Sequence, residues 1–170
     1  MAEAIWRDAG PEDAAILAEI GRQSFIETFG HLYTPENLAA FLVNHSEENW
    51  RAELSDPRYA IRLGFVAGER AAYIKLGPPS LPFQVEGPSI ELRQFYVLKP
   101  WQGAGLAPAM MDWVIAEAGR RGAREIYLSV FTDNHRARRF YERCGFEAVG
   151  RYDFMVGTHA DEDIIMRKAL

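Results

Sequence analysis

Gln102-Gly103-Ala104-Gly105 separates a strand-like run ending at Val97 from a helix-like run with Pro108 in its first turn. No Asn, Asp or Ser stands between them to build an ordinary surface turn. A strand, a glycine turn and a helix N-terminus together make an anion site. The first helical N–H groups lack internal partners, and the helix dipole places partial positive charge beside them. Small side chains at Gly103, Ala104 and Gly105 let backbone come close to a phosphate. A plain tight turn is the competing reading. Two familiar phosphate signatures do not fit: the dinucleotide fingerprint needs glycine where Pro108 stands, and no G-K-[ST] follows.

Other reactive side chains point to less. Cys144 is the only cysteine, so no disulfide within the chain and no Cys-rich zinc site can form. It reads as a small hydrophobe beside the closing glycine of a helix. His31, His45, His135 and His159 share no metal-ligand spacing, and no metal is expected. Asp161-Glu162-Asp163 reads as a solvated turn.

The elements that must position the glycine turn follow from periodicity. Residues 4–7 read as a first strand. Residues 11–29 read as a helix opened by Pro11, with Ile16, Leu17, Ile20 and Phe25 at helical spacing and Ser24 the exception. Thr34-Pro35-Glu36 opens a second helix and Ser46-Glu47-Glu48-Asn49 a third, ended by Asp56-Pro57. Residues 59–66 and 71–76 flank Ala67-Gly68-Glu69-Arg70 as a β-hairpin. A proline-rich loop spans 77–88. A strand over 90–97, a helix over 108–121 and a strand around Ile126, Leu128 and Val130 come next. A helix over 134–143 is closed by Gly145, and strands over 149–156 and 163–167 finish the chain. The order predicts one mixed α/β domain over residues 1–170, a central sheet flanked by helices.

Composition sets the outer bounds. The chain's 170 residues suffice for one domain with a substantial core. A hydrophobic share of 48% and a charged share of 25% suit a soluble globular protein. Net charge is 19 − 24 = −5, which argues against a general nucleic-acid binder and leans weakly toward a cationic small molecule. No basic segment followed by an apolar run opens the chain, and no apolar stretch approaches the roughly 20 residues of a membrane helix. A cytoplasmic location with no membrane or nucleic-acid partner is expected. A homodimer is left open.

Two motifs, in order, resemble a known superfamily. Gln102-x-x-Gly105-x-Ala107 after Phe95-Tyr96-Val97 is similar to the Q/R-x-x-G-x-G/A segment of the GNAT acyl-CoA-dependent N-acetyltransferases. Asn134-x-x-Ala137-x-x-Phe140-Tyr141-x-x-x-Gly145-Phe146 resembles their N-x-x-A-x-x-F-Y-x-x-x-G-F helix. Shorter pieces look like the PaiA-type spermine/spermidine acetyltransferases: Glu27-Thr28-Phe29, Pro35-Glu36-Asn37, Glu91-Leu92, and Gly157 with the ending Asp163 to Lys168. Ala107 replaces the commoner glycine, Pro108 is unusual there, and Gln102 is uncharged, so backbone N–H groups would hold the pyrophosphate.

The resemblance implies a GNAT fold, acetyl-CoA as acyl donor and a small-molecule amine, polyamines included, as acceptor. A protein or peptide acceptor and a non-catalytic acyl-CoA sensor are the alternatives. The chemistry has three needs: the amine loses a proton, the carbonyl oxygen is stabilised, and the thiolate is protonated. An alkylamine titrates near 10.4, so about one molecule in a thousand or fewer is neutral at pH 7. Glu91 is implied as the base, at a distance before Gln102 where some members keep a glutamate. It also reads as a strand-edge charge, a partner of Arg93 or a cation-binding group. Tyr141, a phenol above a thiol in pKa, is implied as the acid; packing beside Phe140 is the other reading. Asn134 is implied for pantetheine, or caps its helix. Phe95, Tyr96 and Val97 would offer backbone to pantetheine, with the Val97 N–H a candidate donor to the thioester oxygen. Gln102, Gly103, Ala104, Gly105, Leu106 and Ala107 would hold the phosphates. Phe25, Thr28, Phe29, His31 and Tyr33 would line the acceptor side.

Overall fold

The computed structural model describes residues 3–170. Its elements are β1 (Ala4–Asp8), α1 (Ala14–Phe29), α2 (Pro35–Leu42), α3 (Glu47–Leu54), β2 (Ala60–Val66), β3 (Glu69–Gly77), β4 (Ser89–Val97), α4 (Leu106–Arg120), β5 (Glu125–Phe131), α5 (His135–Arg143), β6 (Glu147–Val156) and β7 (His159–Ala169). Seven strands form one sheet in the order β1-β2-β3-β4-β5-β7-β6. Every neighbouring pair is antiparallel except β4 and β5. The expected mixed α/β sheet flanked by helices is what forms.

Local chemistry sets the helix ends. Thr34 and Ser46 cap α2 and α3 by accepting the N–H groups of Asn37 and Asn49, each at 3.2 Å. At the end of α5, Gly145 takes φ +95, and the Phe146 N–H donates to the Tyr141 carbonyl at 3.0 Å. Pro11–Asp13 is a separate 3-10 turn rather than the first turn of α1. There the buried Asp13 carboxylate accepts two bonds from Arg7, at 2.8 and 2.7 Å, tying the end of β1 to the start of α1.

One core lies on each sheet face. Met110, Met111, Val114 and Ala118 of α4 pack with Tyr141 and Phe146 against Ile74, Leu92, Ile126 and Leu128. On the other face, Leu17, Ile20 and Trp50 pack against Leu63 and Tyr73. The buried exception Ser24 donates to the Gly21 carbonyl at 3.1 Å, which satisfies its hydroxyl inside an apolar helix face.

Several strand boundaries differ from the sequence expectation, and two of the differences involve charged residues. The first hairpin turns on Ala67-Gly68 alone, both at positive φ, and β3 begins at the charged Glu69. Charge on an exposed strand end hid the pairing. The second correction matters more. β7 runs from His159, so Asp161-Glu162-Asp163 is strand and not a solvated turn. Asp161 and Asp163 are buried, and the turn falls at Gly157-Thr158. Among the described residues no helix is long and apolar enough to cross a membrane.

Candidate active site

The site originates in a fault in the sheet. Lys75 pairs with Gln94 and Leu76 with Leu92, leaving Arg93 as the extra residue of a bulge in β4. A bulge bends its strand and shifts side-chain parity. Accordingly Ile90 and Leu92 before it, and Phe95 and Val97 after it, all pack toward the α4 side. β4 pairs with β5 only as far as Glu91 opposite Tyr127. Beyond that point the two strands part, and their unpaired facing edges border a cleft of about 730 Å³.

The glycine turn closes one end of this cleft. Gly103 and Gly105 both have φ +82, a left-handed conformation that favours glycine. A Cβ added at either would meet nothing within 4 Å, so the space above the turn is open. The N–H groups of Gly103, Gly105, Leu106 and Ala107 have no backbone acceptor among the described residues, and all four residues line the cleft. Four free donors at a helix N-terminus beside open space fit a pyrophosphate. Pro108, third residue of α4, leaves these four untouched. Gln102 also lines the cleft, but its amide donates to the Val97 carbonyl at 3.0 Å and so braces the turn against β4. Ala104 stands apart: it does not line the cleft, and its N–H donates to the Trp101 carbonyl at 3.2 Å.

Phe95, Tyr96, Val97, Asn134 and Tyr141 face the same space. Asn134 caps α5, its Oδ1 accepting the Ala137 N–H at 3.3 Å, which leaves its Nδ2 group unengaged among the described residues. Capping and ligand binding therefore use different atoms of one side chain. Tyr141 is packed edge-on by Phe95, Phe140 and Phe146, with centroids 5.7–6.0 Å away. Its hydroxyl has no hydrogen-bond partner among the described residues. Burial, with Tyr96 and Cys144 nearby, raises its pKa well above the ordinary phenol value, so it is a protonated donor at neutral pH.

Phe25, Thr28, Phe29 and Tyr33 line the opposite side of the cleft, while His31 is exposed and lies outside it. Phe25 stacks on Phe41 at 4.1 Å and on Tyr33 at 5.9 Å, giving an aromatic wall. Glu91 is buried at the point where β4 and β5 part, but it is not among the lining residues. Its Oε1 accepts from the N–H and hydroxyl of Ser80 in the proline-rich loop, at 2.7 and 2.9 Å. Arg93 instead donates to the Pro78 carbonyl, at 3.2 and 2.5 Å. The alternative Glu91–Arg93 pair is not formed. Cys144 is half-buried at the end of α5, and burial pushes its thiol up.

Sequence reasoning missed His45, Asp161 and Asp163, all of which line the cleft. Asp161 and Asp163 carried a usable signal, since alternate residues of a strand share a face. His45 carried none, because its place depends on how the turn after α2 folds back.

Known proteins share this family and fold. The model of the acetyltransferase (GNAT) family matches residues 21–146. An uncharacterized N-acetyltransferase of Mycobacterium tuberculosis is 32% identical over 159 residues, covering 93% of this chain and 98% of its own. A spermine/spermidine N(1)-acetyltransferase of Bacillus subtilis is 38% identical over 64 residues, covering 37% of this chain and 42% of its own. Among solved structures, the PaiA N-acetyltransferase of Thermoplasma acidophilum in complex with coenzyme A aligns with a TM-score of 0.78 at 20% identity, covering 99% of each chain. The chain belongs to the GNAT family and is an acetyl-CoA-dependent N-acetyltransferase.

Proposed function

We propose that the acceptor is a primary amine of a small molecule, with polyamines the leading class, and that it attacks acetyl-CoA directly in a ternary complex. The observation that carries this is the single cleft itself. It joins a phosphate-sized glycine turn, a protonated tyrosine and an aromatic wall with two buried carboxylates. A donor thioester enters from one side of the parted strands and a cationic amine from the other. The partial likeness to the spermine/spermidine enzyme supports the polyamine class.

The residues then divide the work. The free N–H groups of Gly103, Gly105, Leu106 and Ala107 hold pyrophosphate. The Asn134 amide and the edge of β4 from Phe95 to Val97 hold pantetheine, and the Val97 N–H is the candidate donor to the thioester oxygen as charge builds there. As the amine nitrogen bonds to the carbonyl carbon and the C–S bond breaks, Tyr141 gives its proton to the sulfur. A base on the acceptor side contributes about 10²–10⁴ in rate. Glu91 is the candidate for it, reaching the amine through water since its carboxylate lies behind the cleft wall.

The deciding experiment is a thiol-release assay with acetyl-CoA against polyamines, amino acids, aminoglycosides and peptides. Turnover confined to small primary amines supports the proposal. Turnover with peptides alone would favour a protein acceptor. Tight acetyl-CoA binding with no turnover across the panel would favour a sensor.

A further inference from the structure

Asp161 and Asp163 point to the same face of β7, toward α1 and α2, yet their surroundings differ. Asp161 has both oxygens engaged: Tyr33 donates to Oδ2, and the His159 ring lies 3.0 Å from Oδ1. Asp163 is only 6% exposed, and no side chain bonds either of its oxygens within 3.5 Å among the described residues. The Ser129 hydroxyl, 3.1 Å from that of Tyr152, is the one polar neighbour that holds the Asp163 pKa down, and it makes no bond to the carboxylate within that distance. Asp163 nevertheless lines the cleft. A buried carboxylate with no charged partner is costly to keep, and a cation from outside removes that cost.

His45 is a second, separate observation. It is 3% exposed and lines the same cleft, and its Nδ1, which packs against Gly21 of α1, has no hydrogen bond among the described residues. Burial, with Lys75 and Arg22 nearby, pushes its pKa down to about 4, so the ring is neutral and keeps an acceptor nitrogen. Phe41 links the two, its ring 6.0 Å from His45 and 5.5 Å from Phe154, the residue opposite Asp161 in the sheet. Asp161 and Asp163 beside the aromatic faces of Phe25, Phe41 and Phe154, with a neutral ring at His45, make a chamber for a cation with methylene neighbours.

We propose that Asp163 is the docking point for the acceptor's ammonium group, with Asp161 a second charge fixed in place by Tyr33 and His159. The inference rests on the acetyltransferase reading above and names the subsite within it. The titratable groups that act on Asp163 are Asp161 on β7, Tyr152 on β6, Tyr96 on β4 and Tyr33 after α1, none of them a cation. The His159 ring faces Asp161, and neutral His45 and the side chains of Arg93, Arg136 and Arg143 line the same cleft. Burial, and then the Asp161 charge, push the Asp163 carboxyl up to about 7. Below that pH the empty site holds a proton. An incoming ammonium stabilises the carboxylate, so the proton on Asp163 leaves to the buffer as R–NH₃⁺ takes its place. Binding and proton release are coupled.

Calorimetric titration of spermidine into the protein saturated with coenzyme A, in buffers of different ionisation enthalpy, reads the protons released. About 0.9 per site are expected at pH 6 and about 0.1 at pH 8. The Asp163→Asn variant should release none and bind spermidine at least 10-fold more weakly at pH 8. Its affinity for acetyl-CoA should stay within about threefold, since the glycine turn is untouched. The wild-type comparison between the two pH values needs no variant and stands even if the variant fails to fold. No spermidine binding, pH-independent proton release or proton release that persists in Asp163→Asn would overturn the inference. Pronounced release in a protein that acetylates no amine would leave the cation site standing and remove the acetyltransferase reading instead. Rapid acetylation of spermidine with no coupled release would do the reverse.

Discussion

Replacing Asp163 with asparagine keeps the shape of the side chain and removes a charge that the fold disfavours. The carboxyl is raised from 3.8 to about 7 in the native state. A native pKa above the unfolded value means that the native protein holds its proton to higher pH. Stability from this group is therefore complete below about pH 4 and falls as pH rises toward 7. With these two values the two-state linkage relation gives a loss of about 2–3 kcal/mol between pH 5 and pH 8. The side chain lines a cleft that is open to solvent, and screening there reduces the effect, so about 1–1.5 kcal/mol is the expected change between pH 5 and 8. Asparagine carries no such dependence. The variant should match the parent near pH 4 and exceed it increasingly toward pH 8. Urea denaturation followed by circular dichroism at pH 5, 6.5 and 8 measures the difference. A stability difference constant within about 0.3 kcal/mol over that range would show that Asp163 is charged in both states, and the argument from burial would fail.

Gly105→Val should weaken acetyl-CoA binding in a folded protein, because the left-handed turn is strained and the open space above it is filled; unchanged affinity by calorimetry would make the turn purely structural. Tyr141→Phe keeps the ring among Phe95, Phe140 and Phe146 and should lower kcat by roughly 10–10³-fold with little change in acetyl-CoA affinity. A kcat within a factor of two, with thiol release rate-limiting, would remove it as the acid. Glu91→Gln keeps an oxygen for Ser80, so the loop should hold while turnover falls at neutral pH and partly recovers as pH rises. An unaltered pH profile would exclude Glu91 from the mechanism, and a raised KM alone would mark it as a binding charge. Asp13→Asn should cost about 2 kcal/mol at pH 7 by weakening the Arg7 pair. Arg7 holds the native Asp13 carboxyl below the usual range, so this penalty should shrink as pH falls through that range, which denaturation at pH 3 and 7 would check.

Much of the donor side was legible in the chain itself. Gly103 and Gly105 announced a close-approach turn, Asn134 a helix cap, and Gly145 a helix end, because each depends on backbone preferences acting over a few residues. The order of the elements followed from periodicity for the same reason. Glu69 and the acidic start of β7 are charged and still lie in strands, because strand pairing and the α1–α2 layer decide what covers them.

The sequence by itself determined the glycine turn, the tyrosine-bearing helix and the alternation that put them on one sheet. Only the tertiary structure decided which carboxylates have partners. Asp161 meets Tyr33 across 128 positions, Glu91 is claimed by a loop that folds back over it, and Asp163 is buried and in no ion pair among the described residues. The physical reason is that desolvation and pairing depend on every element packed around a group. Three acidic residues that look alike in the chain thereby acquire different chemistry in the fold.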